Sequence, residues 1–151
     1  MRSCFELSNG VQMPKIGFGT YKSTDGSDEC VIGQALEAGY RLLDTAAAYK
    51  NEEQVGKAIT RSGISRKEIF LTSKVWKTDL GYENTKKSFQ ESLERLQTDY
   101  LDLFLLHWPK PDPEFADWKE LDRESWRALE ELYKEGKVRA IGVSNFLPHH
   151  L

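Results

Sequence analysis

From Ile16 onward, five short apolar runs alternate with four stretches of helical period, most of them joined by only a few residues. That alternation constrains the chain more than any other feature. A strand, a helix and a further strand on short connections close as βα units around a parallel sheet. The strands are expected at Ile16 to Thr20, Arg41 to Thr45, Ile69 to Lys74, Leu101 to His107 and Val138 to Ser144. Ahead of them, Phe5 to Met13 alternates apolar and polar residues about Ser8-Asn9-Gly10. This predicts a hairpin, with positive φ available to both Asn9 and Gly10.

Helix signals fill the intervals. The first helix is expected from about Asp28 to Ala38, capped by Ser27 and stopped by Gly39, with Val31, Ile32, Ala35 and Ala38 on one stripe. The second starts at Asn51, whose side chain can cap while Gln54 reaches back, and buries Val55, Ala58 and Ile59 before Gly63. Glu52 and Glu53 give its first turn the charge that a helix N-terminus favours. The third covers roughly Glu83 to Gln97 with Phe89, Leu93 and Leu96 in line; the fourth covers roughly Asp122 to Glu135 with Trp126, Leu129 and Tyr133, ended by Gly136. Between the fourth strand and that helix, Pro109 to Asp117 contains Pro109, Pro111 and Pro113 and reads as a lid or a substrate wall.

Composition narrows the partners. With 151 residues, 39% hydrophobic and 30% charged, the chain reads as one globular domain. No run approaches the roughly 18 apolar residues of a membrane span, and Met1 to Gly10 lacks the apolar core of a signal peptide, so a cytoplasmic location without membrane contact is expected. Basic residues are dispersed among acidic ones and the net charge is −3, which gives no stripe for nucleic acid. Cys4 and Cys30 lie far apart and read as reduced thiols. His149-His150 lack a third ligand at metal spacing and read as exposed histidines; no metal site is indicated.

Repeated βα units wind either into an open doubly wound sheet or into a barrel. The open sheet would carry G-x-G-x-x-G after its first strand, whereas Gly17-Phe18-Gly19 lacks the third glycine and runs into Thr20, Tyr21 and a polar stretch. The glycines read instead as a means of fitting a crowded strand inside a barrel. A closed eight-unit barrel takes about 250 residues. The expected fold is therefore α/β, a partial TIM (β/α)8 barrel with an N-terminal hairpin, about five strands and four helices.

In parallel βα architecture the C-terminal ends of all strands share one rim. Asp44 closes the second strand, Lys74 the third, His107 the fourth and Ser144 with Asn145 the fifth, and Tyr49 follows Asp44 closely. Each alone has an ordinary explanation: a carboxylate bonded to loop backbone, a solvated lysine, a tyrosine over a helix end, a satisfied core histidine. Together they make an apparatus. A phenol, with a pKa of about 10, holds its proton at neutral pH. A neighbouring ammonium stabilises the phenolate, a carboxylate keeps that ammonium charged and oriented, and a histidine N–H can grip a substrate oxygen. The set suits protonation of the oxyanion formed when hydride reaches a carbonyl carbon.

Five segments carry a family resemblance: Gly39-Tyr40-Arg41-Leu42-Leu43-Asp44-Thr45-Ala46, Tyr49-Lys50-Asn51-Glu52-Glu53-Gln54-Val55-Gly56, Thr72-Ser73-Lys74-Val75-Trp76, Asp102-Leu103-Phe104-Leu105-Leu106-His107-Trp108-Pro109 and Ile141-Gly142-Val143-Ser144-Asn145-Phe146. In order and spacing the chain resembles the aldo-keto reductases, over essentially its whole length. The resemblance implies reduction of small aldehydes and ketones by a nicotinamide cofactor, usually NADPH with NADH as the alternative, in a (β/α)8 barrel without metal. It implies Tyr49 as general acid, Lys74 and Asp44 as the pair that tunes it, and His107 as the residue orienting the carbonyl. Ser144 and Asn145 match nicotinamide-carboxamide contacts, with Thr20 and Asp44 as further cofactor contacts. Tyr21, Trp76, His107 and Trp108 are expected at the substrate; Tyr21 stands where many members carry Trp, which leaves substrate preference open.

The resemblance stops at Leu151, after Asn145 and Pro148 signal a fifth helix. Residues 1–151 then correspond to the N-terminal part of such a barrel, and the expectation is that the later strands and the cofactor-phosphate site are absent. Two accounts stand: a carbonyl reductase of which this is an N-terminal part, weak or inactive alone, or a non-catalytic half-barrel that serves assembly. Self-association is expected in either case, because an inner face carrying Leu42, Leu71, Leu103, Leu105 and Ile141 would lack its opposite wall.

Overall fold

A computed structural model of the chain describes residues 3–24, 30–109 and 117–151. The N-terminal hairpin pairs β1 (Cys4–Glu6) with β2 (Gln12–Pro14), placing Phe5 opposite Met13. Its turn spans Leu7 to Val11, and of the two turn residues expected to have positive φ only Gly10 does, at 83°. Asn9 is used elsewhere: its Nδ2 donates to the Arg139 carbonyl at 2.8 Å, fastening the hairpin near the start of the last strand.

Five parallel strands follow: β3 (Phe18–Gly19), β4 (Leu42–Asp44), β5 (Phe70–Val75), β6 (Leu103–Leu106) and β7 (Ile141–Val143). Their order in the sheet is their order in the chain. Between them lie α1 (Cys30–Glu37), α2 (Glu52–Arg61), α3 (Tyr82–Leu96) and α4 (Trp118–Lys134). Leu43, Leu71, Val75, Phe104 and Leu106 from the strands form one buried core with Ile32, Val55, Phe89, Leu93 and Leu129 from the four helices. All four helices thus cover one face, and the strands advance without reversing. A doubly wound sheet would reverse strand order and carry helices on both faces. The architecture is a partial (β/α)8 barrel.

Alternation along the strands puts Leu42, Asp44, Phe70, Thr72, Lys74, Leu103 and Leu105 on the opposite, concave face. Leu71 and Ile141, expected there, belong to the helix side, where Leu71 is fully buried and Ile141 packs against the core. Every residue of β5 is buried, so its hydrophobicity does not alternate and its facing cannot be read from the sequence. Gly17 fits the crowding expectation, since a Cβ would lie 2.2 Å from Leu42 Cδ2; Gly19 does not, having nothing within 4 Å of that position.

The helices shift within their predicted ranges. In α1 the buried stripe is Ile32, Ala35 and Leu36, leaving Val31 and Ala38 exposed. Its expected cap, Ser27, lies outside the described residues, as does most of the Pro-rich loop. Helix α4 begins at Trp118, a turn earlier than expected, and buries Ser125, Ala128, Leu129 and Leu132, while Tyr133 is exposed. Where Asn145 and Pro148 signal the start of a fifth helix, a 3-10 turn spans Pro148–His150.

At the N-terminal end of the sheet, Asp102 is a buried acceptor. It receives Arg66 Nη1 at 2.9 Å, Arg139 Nη1 at 2.7 Å and the Leu71 amide at 3.0 Å, tying together the starts of β5, β6 and β7. Helices α2 and α3 meet at Gly56, where a Cβ would lie 2.7 Å from the Leu96 carbonyl carbon and oxygen. Alanine in a helix gains about 1 kcal/mol over glycine. Against backbone that cannot swing aside, overpacking costs about 1–3 kcal/mol and wins. Gly56→Ala is expected to lower the urea midpoint, whereas Gly33→Ala in α1, where a Cβ meets nothing within 4 Å, should raise it. A raised midpoint for both would mean that α2 and α3 can separate freely.

Candidate functional site

The strand ends assemble one rim. Backbone bonds from Thr20 N to Asp44 O and from Thr45 N to Thr72 O, both 2.9 Å, carry the ladder of β3, β4 and β5 to its limit. The Lys74 side chain stays on the concave face and is 5% exposed. Its Nζ donates to Asp44 Oδ2 at 2.8 Å and to the Thr45 carbonyl at 2.9 Å, and Tyr49 Oη lies 3.4 Å away. Each ammonium proton has an oxygen, which a buried lysine requires. Tyr49 sits on the 3-10 turn Ala47–Tyr49.

That turn is anchored by Asn51. The sequence suggests a helix cap, but its side chain makes no capping bond. The amide donates to the Thr20 carbonyl at 2.7 Å and accepts from the Thr45 hydroxyl at 3.1 Å and the Thr20 hydroxyl at 3.4 Å. One buried side chain thus joins the ends of β3 and β4 to the segment carrying Tyr49. Glu52 is likewise taken inward, accepting from Ser73 Oγ at 2.6 Å, Arg95 Nε at 2.7 Å and Ser92 Oγ at 3.2 Å.

His107 follows β6, its amide bonded to the Val75 carbonyl at 3.1 Å. Asn145, in left-handed conformation with φ 60°, donates Nδ2 to the His107 carbonyl at 2.9 Å and to Ser144 Oγ at 3.1 Å. The His107 ring stands between Trp76 and Tyr49, with centroids 5.1 and 5.6 Å away. Its Nδ1 is buried without a hydrogen-bond partner among the described residues. Burial first, and the Lys74 charge second, push its pKa down to about 4 against a smaller opposing effect from Asp44. At neutral pH it is an uncharged imidazole, able to donate one N–H.

These groups open on a cavity of about 740 Å³ lined by Tyr49, His107, Asn145 and the aromatics Tyr21, Trp76 and Trp108. The Tyr21 ring lies 5.0 Å from that of Tyr49. Of the expected site residues, Thr20 is set apart: it is fully buried, its hydroxyl turned to Asn51, and it offers no surface to a ligand. Ser144 is half-buried beside Asn145 and does not line the cavity. His149 is exposed as expected, but His150 packs against Trp118 and Phe146, and its Nδ1 accepts from the Leu147 amide. Among the described residues no cluster of His, Cys, Asp or Glu is placed to hold a metal, and no helix is long and apolar enough to cross a membrane.

Sequence reasoning missed Asn51 and the Thr45 carbonyl. The available signal was the threonine closing each of two neighbouring strands, Thr20 and Thr45, with an asparagine close behind.

Comparison with known proteins agrees over the whole described sheet. Glyoxal reductase of Bacillus subtilis (strain 168) is 52% identical over 152 residues, covering 100% of this chain and 52% of that protein. The crystal structure of an aldo/keto reductase from Brucella melitensis superposes with a TM-score of 0.91 at 46% identity, covering 100% of this chain and 57% of that one. A Bombyx mori aldo-keto reductase crystallised in complex with NADP superposes at 0.83 with 38% identity, covering 96% and 51%. The chain spans about half the length of the relatives it matches. The Aldo/keto reductase family model matches residues 15–151, and with the partial barrel and its rim this places the chain in the aldo/keto reductase family.

Proposed function

We propose that this rim serves the reduction of small aldehydes, ketones and dicarbonyls by NADPH, with NADH as the alternative donor. One observation carries the reading: a buried ammonium, held by Asp44, lies 3.4 Å from a phenol oxygen that lines an aromatic-walled cavity. Burying a charge costs several kcal/mol and needs a return. An assembly module requires none of these groups. The similarity to a glyoxal reductase supports the dicarbonyl class, and the relative crystallised with NADP supports the cofactor.

The cofactor, when bound, supplies hydride to the carbonyl carbon. The Asn145 side-chain carbonyl and the Ser144 hydroxyl form an acceptor–donor pair suited to its carboxamide, and the partly exposed Asp44 carboxylate is a further contact for the cofactor. Tyr49 Oη gives its proton to the substrate oxygen, and the Lys74 charge stabilises the phenolate left behind. The neutral His107 imidazole donates an N–H to the same oxygen and orients it. Trp76, Trp108 and Tyr21 supply the apolar walls. As outer strands of the sheet, β3 and β7, together with half-buried Leu103 and Leu105, support self-association of the 151-residue chain.

Tyr49→Phe keeps the ring and removes the proton, so kcat for glyoxal should fall by about 10²-fold or more. Near-normal turnover, with chemistry rate-limiting, would remove Tyr49 from this role. For His107, proton NMR should show a midpoint near 4. Unfolded imidazole titrates at about 6.5, so the unfolded chain binds more protons between those values. Stability contributed by His107 is full above this window and declines as pH falls through it. Lys74→Met removes the lowering charge and leaves Asp44, so the His107 midpoint should rise and the pH–rate profile should shift. An unmoved midpoint and profile would reduce Lys74 to packing.

A further inference from the structure

Two turns on the rim each carry a tyrosine followed by a lysine in left-handed backbone: Tyr21 with Lys22 at φ 55°, and Tyr49 with Lys50 at φ 59°. Such backbone costs a residue other than glycine and persists where the surroundings over-determine it. Neither turn lies in the sheet ladder, which ends with the bonds from Thr20 N to Asp44 O and from Thr45 N to Thr72 O. Side chains must hold what the ladder does not.

One side chain reaches both turns. The Thr20 carbonyl closes the first by accepting from the Ser23 amide at 3.1 Å and the Ser23 hydroxyl at 2.8 Å, and it also accepts Asn51 Nδ2 at 2.7 Å. Asn51 Oδ1 accepts the Thr45 hydroxyl at 3.1 Å, which closes residues 45–51 into a ring that contains the Tyr49 turn. Thr20, Thr45 and Asn51 are all buried, so bulk water does not compete for these bonds.

The oxygens around Lys74 Nζ come from this ring and the residue just before it: Asp44 Oδ2 at 2.8 Å, the Thr45 carbonyl at 2.9 Å and Tyr49 Oη at 3.4 Å. Asp44 and Thr45 are fixed by the end of β4. Tyr49 Oη makes the longest contact and meets no other hydrogen-bond partner among the described residues. Its distance from the ammonium is therefore set by the path of the turn, and that path ends at Asn51. A displacement of about 1 Å in a reacting group can cost about 10²-fold in rate.

We infer that Asn51 is a positioning residue of this site, whose amide ties the Tyr49 turn to the ends of β3 and β4 and so holds the phenol at Lys74 with the Tyr21 ring beside it. Asn51 does not line the cavity and acts through its neighbours. That role rests on the carbonyl-reducing reading of the same cavity.

Three substitutions separate the link from general stability. Thr45→Val removes the hydroxyl that Asn51 accepts and keeps the carbonyl that meets Lys74, Thr45→Ser keeps both, and Asn51→Ala removes the link entirely. In proton NMR of the 151-residue chain, the contacts of the Tyr49 ring with Tyr21 and His107, whose centroids lie 5.0 and 5.6 Å away, should weaken in Thr45→Val and Asn51→Ala and be retained in Thr45→Ser. In the same two variants kcat for glyoxal should fall by about 10-fold or more with KM changed far less, and Thr45→Ser should restore it. Combining Thr45→Val with Asn51→Ala should add nothing to Asn51→Ala alone. Gly56→Ala, in the same helix and destabilising through its contact with α3, should leave both readouts as in the unsubstituted chain.

Ring contacts and kcat that survive Thr45→Val and Asn51→Ala overturn the assignment. So does an equal loss in Thr45→Ser or in Gly56→Ala, which would reduce the network to general stability. If Asn51→Ala does not fold, the two Thr45 variants decide. An unsubstituted chain that reduces no carbonyl sinks the proposed function, and the ring contacts then decide alone whether Asn51 holds Tyr49; normal reduction indifferent to Asn51 and Thr45 sinks only the positioning role.

Discussion

The rim is built around one ammonium group. Lys74 could not be buried on the concave face without oxygen for each of its protons, and the fold supplies them from three directions: the end of β4, the backbone just beyond it and the turn that carries Tyr49. Parallel pairing of Asp44 with Thr72 sets the carboxylate two residues behind Lys74 across the ladder, within reach of a long side chain that leans along its strand. A slip of one residue between β4 and β5 would turn Asp44 to the helix side and leave the charge unmet. The chemistry of the site and the register of the sheet are therefore one requirement.

Buried charges appear at both ends of the sheet and are handled in opposite ways. At the N-terminal end, Asp102 is saturated by two arginines and an amide, and Arg66 is further engaged by the Thr98 hydroxyl and the Ile69 and Tyr100 carbonyls. Nothing there is left for a ligand. At the C-terminal end, Tyr49, His107 and Asn145 all open on the cavity. Glu52 lies between these extremes: it braces Ser73, next to Lys74, from the helix side through Arg95 and Ser92. Saturation stabilises the fold, and incomplete saturation leaves hydrogen-bonding capacity for a substrate.

Strand count, strand order and the convergence of Asp44, Tyr49, Lys74 and His107 on one rim could be read from the sequence, because each rests on local pattern plus the single rule that parallel strands end on one side. What could not be read shares a physical cause. The facing of β5 was hidden because both its faces are buried, so Leu71 appeared to belong to the concave side. Asn51 carries every local mark of a helix cap, yet two threonine oxygens and a carbonyl from other strands compete for its amide more effectively than the helix end does. Thr20 is buried through the same network. Tyr133 followed helical spacing but lies outside the buried stripe, whose last core position is taken by its neighbour Leu132. Local propensity is overridden wherever a long-range polar partner or a packing neighbour offers more.

Burial decides what the rim lysine can do electrostatically. At Lys74 the low-dielectric surroundings strengthen each contact and fix the ammonium, so its field acts over one hydrogen-bond length on Tyr49 and, farther off, lowers the affinity of His107 for a proton. An exposed lysine in the same role would be screened by water, and its long side chain would gain little from any one contact. Only a desolvated ammonium, with each of its protons met by oxygen, can stabilise a phenolate selectively; burial of Lys74 and the oxygens of Asp44, Thr45 and Tyr49 around it are thus two halves of one condition.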